Sequence, residues 1–141
     1  MTSDPGEKKV ILSIDDIPSN LIAIKNILEP MFDVRLVKDG TQALPLLRRE
    51  KIDLVLLDIE MPKFNGFELL QAIRGDLALA SIPVIFVTSH ASAAVIRRAV
   101  REGANGYVLK PFKPSLLLQK VLEQLGLDAP TAGQDNTWTP K

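Results

Sequence analysis

Four apolar runs in this 141-residue chain end on residues that can do chemistry. Asp15 and Asp16 follow VILSI, Asp58 closes IDLVLLD, Thr88 and Ser89 close IPVIFVTS, and Lys110 closes YVLK just before Pro111. Unbroken runs of Val, Ile and Leu mark parallel strands buried on both faces, and open α/β sheets bind ligands outside the carboxyl ends of such strands. If the runs are neighbours, three carboxylates, a hydroxyl and an ammonium meet at one sheet edge. Carboxylates that close repel unless a cation or a raised pKa relieves them. An all-oxygen set suits a hard divalent ion, Mg²⁺ above all, with Mn²⁺ as a substitute. Lys110 adds a positive charge and Thr88 a hydroxyl donor, so the set can receive a phosphoryl group. A carboxylate can itself be the nucleophile in aspartyl-phosphate chemistry. Asp58 fits that role best, because it stands alone after the most apolar run while Asp15 and Asp16 form a pair.

The elements that must position these residues alternate along the chain. Strands are expected over Lys8–Ile14, Phe32–Val37, Lys51–Asp58, Ile82–Thr88 and Asn105–Leu109. Between and after them, apolar residues at helical spacing predict helices over Ser19–Leu28, Thr41–Glu50, Gly66–Arg74, Ala91–Glu102 and Pro114–Leu125. Pro18 suits a first turn, and Gly103 and Gly126 suit positions just past a C-terminus. With Thr41 as N-cap, Pro45 removes only the first intrahelical bond; an earlier start would kink that helix. Asn65-Gly66 reads as a turn. Five strand–helix alternations argue for an α/β fold, a parallel sheet with helices on both faces. Residues 1–7 read as a disordered leader, 8–126 as one domain, and 127–141, with the lone Trp138, as a flexible tail.

Composition narrows the function further. Lys plus Arg equals Asp plus Glu at 17 each, so no net charge points to nucleic acid. Without cysteine, thiolate metal sites and cysteine nucleophiles are excluded. No run approaches the roughly 18 apolar residues of a membrane span, and VILSI breaks at Asp15 too soon for a signal peptide. A soluble cytoplasmic protein without direct nucleic-acid or membrane partners is the expectation.

The pattern resembles the response-regulator receiver domain of two-component signalling. The resemblance rests on Asp15-Asp16, LLDIEMPKFNGFELL from Leu56 to Leu70, VTS from Val87 to Ser89, and GYVLKPF from Gly106 to Phe112. The spacing, 30 residues from Asp58 to Thr88 and 22 more to Lys110, carries more weight than any one piece. It implies five parallel strands in the order 2-1-3-4-5. It further implies that Asp58 accepts a phosphoryl group from the phosphohistidine of a histidine kinase or phosphotransfer protein. Asp16, Asp58 and the backbone carbonyl of Glu60 would ligate Mg²⁺, with Asp15 holding a coordinating water. Thr88 and Lys110 would bind phosphoryl oxygens, Tyr107 would swing inward, and a cis Lys110–Pro111 peptide would aim the lysine. Glu60 and His90 would tune dephosphorylation. The resemblance makes the chain a self-phosphorylating and self-dephosphorylating switch rather than an enzyme. Its phosphorylation would remodel the surface of helix 91–102, strand 105–109 and helix 114–125 for a downstream target or output domain, the chain acting as a monomer or a phosphorylation-dependent dimer.

Taken singly, Asp58, the Asp15-Asp16 pair and Thr88 would each read as helix caps, and Lys110 as a solvated lysine. Their common position at one edge reverses that reading. Tyr107 is evenly poised between core filler and switch. Arg97, Arg98 and Arg101 read as a solvated helix face, and Leu116 as the leucine left outside its helix's core stripe. Two other functions stay open: a receiver-like module that never takes phosphate, and a phosphohydrolase whose nucleophile stands in Asp58-Ile59-Glu60.

Overall fold

The computed structural model describes residues 8–90 and 92–127. Ten elements alternate: β1 (Val10–Ile14), α1 (Pro18–Leu28), β2 (Asp33–Val37), α2 (Gly40–Arg49), β3 (Leu54–Leu57), α3 (Gly66–Arg74), β4 (Val84–Thr88), α4 (Ala93–Arg101), β5 (Gly106–Leu109) and α5 (Pro114–Leu125). The strands form one parallel sheet in the order β2-β1-β3-β4-β5, the expected one. Residues 1–7, the expected helix start at Ala91 and the tail from residue 128 lie outside the described residues.

Alternation along the central strands sorts the core into two layers. Val55 and Leu57 of β3 pack with Ala43 and Leu47 of α2 and Leu70 and Ile73 of α3. Leu54 and Leu56 point the other way, toward Ile24 and Leu28 of α1 and Leu117 and Val121 of α5. All four β3 side chains are buried. Because each fully buried aliphatic side chain is worth about 1.5–3 kcal/mol, β3 is anchored from both faces, and Asp58 follows directly.

Several expected strands are shorter, and side chains explain two of the cases. Asp53 ends the loop before β3, where its Oδ2 accepts the Val10 N–H at 2.8 Å. Asn105 Oδ1 likewise accepts the Val84 N–H at 2.8 Å. Polar side chains there take over the hydrogen bond that a ladder carbonyl would make. Phe32, placed in the second strand from sequence, instead sits in the turn after α1, buried, with its N–H donating to Leu28 O.

The second helix also departs from expectation. Its N-cap is Asp39, whose Oδ1 accepts the Thr41 N–H at 2.8 Å, and Thr41 lies inside the helix. Pro45 is therefore an interior proline that deprives the Thr41 carbonyl of its donor. Both residues are exposed, so water can take that place. Asn65 and Gly66 are a helix start: Asn65 Oδ1 accepts from Glu68 N and Glu68 Oε1 accepts from Asn65 N, a reciprocal cap. Along α5, Leu117 is buried and Leu116 is the exposed leucine, as its spacing implied.

Candidate functional site

Register brings the acidic residues together. The Ile14–Leu57 pairing is the last between β1 and β3, and Asp15 and Asp58 are the next residues on each strand. Their backbones stay tied to the sheet: Asp58 N donates to Ile14 O and Asp15 N to Val37 O. Asp15, Asp58 and Thr88 are buried polar residues, and Asp16 is half-buried. One oxygen from each of Asp15, Asp16 and Asp58 lies within 4.8 Å of the other two.

Lys110 reaches this cluster from the end of β5, where its N–H donates to Thr88 O at 2.9 Å. Its Nζ lies 2.7 Å from Asp15 Oδ2 and 3.6 Å from Asp58 Oδ2. Asp15 Oδ1 accepts from Ile17 N at 2.9 Å and from Asn20 Nδ2 at 3.4 Å, which leaves Asp58 the less compensated of the two. Burial pushes the Asp58 carboxyl up to about 6, against the pull of Lys110 and with a further push from Asp15. A group so displaced in a cleft is where chemistry is expected. The set is all oxygen and short of positive charge, which fits a hard divalent cation.

The surrounding loops are shaped around Asp58. Gly66 N donates to Ile59 O at 2.8 Å, and a Cβ on Gly66 would strike the Asp58 carbonyl and the Ile59 Cα. Space, rather than backbone torsion, requires glycine there. Lys63, with φ at 71°, bends the same loop. Glu60 turns its carboxylate outward to His90, Oε2 to Nε2 at 2.5 Å, so it is not part of the acidic cluster. His90 N donates to Thr88 Oγ1 at 3.1 Å. The Lys110–Pro111 peptide is cis. Tyr107 lies on β5 with its side chain outward, 38% exposed.

Residues that sequence reasoning missed complete the site. Asn20, one residue in the run PSN, gave no signal before Asp15 was placed beside it. Arg98, expected on a solvated face, lines the same cleft as Asp58. Its guanidinium carbon sits 3.9 Å over the Phe67 ring.

A response regulator receiver domain profile matches residues 11–122. The chain belongs to that family. It is 38% identical over 113 residues to the chemotaxis protein CheY of Pseudomonas aeruginosa, covering 79% of this chain and 91% of that one. The Vibrio cholerae chemotaxis protein CheY4 superposes with a TM-score of 0.80 at 27% identity, over 84% of this chain and 100% of its own. The receiver domain of a Pseudomonas aeruginosa sensor histidine kinase, solved with a magnesium ion coordinated in its active-site cleft, superposes with a TM-score of 0.78 at 29% identity, over 85% and 99%. A receiver is a signalling switch rather than a classical enzyme, and phosphoacceptor signalling is the role of this one. No helix among the described residues is long and apolar enough to cross a membrane.

Proposed function

We propose that Asp58 is the phosphoacceptor of this receiver. The observation that carries the assignment is its carboxyl, raised to about 6 by burial beside two other aspartates and 3.6 Å from Lys110. A histidine kinase or phosphotransfer protein presents a phosphohistidine to the cleft. An Asp58 oxygen attacks phosphorus, the P–N bond breaks, and the imidazole leaves with the electron pair. Asp15, Asp16, Asp58 and the backbone carbonyl of Glu60 would hold Mg²⁺, or Mn²⁺ in its place; when bound, the ion offsets charge on the phosphoryl oxygens.

The protein's own groups do the rest. The Thr88 oxygen already accepts from His90 N, so its one proton is left to donate to a phosphoryl oxygen. Lys110 supplies a second donor from its place between Asp15 and Asp58. The new group carries a charge of about −1.5 to −2 and three acceptor oxygens, which draw Thr88 and Lys110 inward. Tyr107, outward in this structure, fills the space that Thr88 vacates. The face of α4, β5 and α5 thereby changes for a downstream partner, the protein working in the cytoplasm where kinases meet ATP. The Glu60–His90 pair at the cleft mouth governs how water reaches the phosphoryl group.

The other two readings have little support. The usual sign of a module that never takes phosphate is loss of an acidic or lysine position, and Asp15, Asp16, Asp58 and Lys110 are all present. A phosphohydrolase would need Glu60 beside Asp58, and its carboxylate is turned to His90. Intact-protein mass spectrometry after treatment with acetyl phosphate tests the proposal. One phosphoryl group per chain, dependent on Mg²⁺ and lost in Asp58→Asn, is expected; retention of the label by Asp58→Asn would refute it.

A further inference from the structure

The cleft is larger than a phosphoryl group requires. Its volume is about 710 Å³, within the range of small-molecule pockets. From Asp58 it runs along the loop after β3 and over the first turn of α3 to α4. The walls there are Met61, Pro62, Phe67 and Val95, and Arg98 also faces the cleft. Nothing in the transfer of a phosphoryl group to Asp58 uses that arm.

Arg98 is not a loosely solvated side chain. Its guanidinium carbon lies 3.9 Å from the centre of the Phe67 ring, and the ring of Phe67 packs 5.2 Å from Phe86 of β4. Its Nε donates to Glu102 Oε2 at 2.6 Å, and Glu102 Oε1 accepts from Gln71 Nε2 at 3.1 Å. Arg98 holds Glu102 below the usual carboxylate range. The cation–π contact and the Nε bond together hold the guanidinium against this wall. Among the described residues, neither Nη atom has a hydrogen-bond partner. A planar fork held in place on an apolar wall, with its two terminal donors open, matches a carboxylate or phosphate bidentately.

We propose that this arm of the cleft is a donor-specificity subsite. It receives the leaving group of a small acyl phosphate with an apolar body, and Arg98 binds a second anionic group at the far end of that body. The inference rests on Asp58 being the phosphoacceptor. In the step itself an Asp58 oxygen forms a bond to phosphorus while the bond from phosphorus to the acyl oxygen breaks. The acyl group departs as a carboxylate with the electron pair, so no proton, oxidant or reductant is required. Arg98 touches only the distal anion and is a specificity residue.

Three donors separate this subsite from the underlying reading: acetyl phosphate, benzoyl phosphate and 4-carboxybenzoyl phosphate. The last two share one apolar body and differ by one carboxylate, placed where it cannot cyclise onto the acyl carbon. Each is supplied with Mg²⁺, and initial phosphorylation rates are compared within each protein, so that differences in folded fraction cancel. The full chain should favour the carboxylated donor over benzoyl phosphate by about tenfold, the effect of one charge-assisted bidentate contact. The ratio should fall to about one in Arg98→Ala and to an intermediate value in Arg98→Lys, which keeps the charge but loses the fork. A ratio near one in the unaltered chain, or an undiminished ratio in Arg98→Ala, would overturn the subsite while leaving Asp58 as phosphoacceptor. Failure of all three donors to phosphorylate Asp58 would overturn both.

Discussion

At the amino ends of β4 and β5 the Arg74 guanidinium donates five hydrogen bonds, whereas at the carboxyl ends three carboxylates face the single ammonium of Lys110. Arg74 Nε and Nη2 donate to Gly103 O, Nη1 to Ala80 O and Ile82 O, and Nη2 also to Asn105 Oδ1. A half-buried cation is thus surrounded by acceptors. The opposite end has too much charge of one sign, a carboxyl raised to about 6, and a buried hydroxyl, Ser13 Oγ, with no hydrogen-bond partner among the described residues. One sheet therefore carries a satisfied end that ties helices to strands and an unsatisfied end held open for a ligand. Natural proteins accept such local conflict at functional sites.

Removing Arg74 should break the comparison hardest. Arg74→Ala strips donors from three carbonyls and the Asn105 side chain, which joins α3 to the starts of β4 and β5. Urea unfolding should show a loss of roughly 4 kcal/mol, while the folded fraction still takes phosphate. A loss below about 1 kcal/mol would mean that water replaces those bonds.

At the other end, the opposite sign is expected. The Asp58 carboxyl titrates at about 6 in the folded protein against 3.8 for the ordinary group. The folded state therefore binds more protons between those values, and stability falls as pH rises through that window. Above about 6 the ionised group costs roughly 3 kcal/mol. Asp58→Asn should recover most of this at pH 7 and none of it below pH 4, measured as the difference between the two proteins in denaturant without divalent ions. A variant less stable than the parent at pH 7 would contradict the unsatisfied charge.

A cation should also relieve that charge, by a smaller amount. At ten times its dissociation constant, Mg²⁺ should stabilise the unaltered chain by about 1.4 kcal/mol, and Asp58→Asn should lose most of this gain. Equal thermal shifts in the two proteins would place the ion elsewhere.

How much of each end could be read from sequence follows the same division. Asp15, Asp16, Asp58, Thr88 and Lys110 announced themselves because each ends an apolar run, and the strand order that joins them follows from the family resemblance. The Arg74 network was invisible, since all its acceptors but the Asn105 side chain are backbone carbonyls, and carbonyls carry no letter in a sequence. Arg98 is exposed, as a solvated face implies, but its place in the cleft was hidden for a related reason. Three arginines in one helix look alike until α3 is packed beside them, and only Arg98 meets Phe67. Asp39 was passed over as the cap of α2 because Asp39-Gly40 also reads as a turn and Thr41 is itself a good cap. Side-chain geometry alone separates the two.

Ser13 gives the smallest and most local test. It lies on β1 two residues before Asp15, on the same face, paired in register with Leu36 and Leu56. Its hydroxyl is buried and has no partner among the described residues, which costs free energy in a place where alanine would cost none. Ser13→Ala removes the unpaired group and one small atom, so little cavity is left behind. A stabilisation of roughly 0.5–1 kcal/mol is expected, with phosphorylation kinetics unchanged, because Ser13 touches neither Asp58 nor Lys110 by hydrogen bond. A loss of stability would instead show that a buried water satisfies Ser13, and the unsatisfied region would then begin at the carboxylates rather than beneath them.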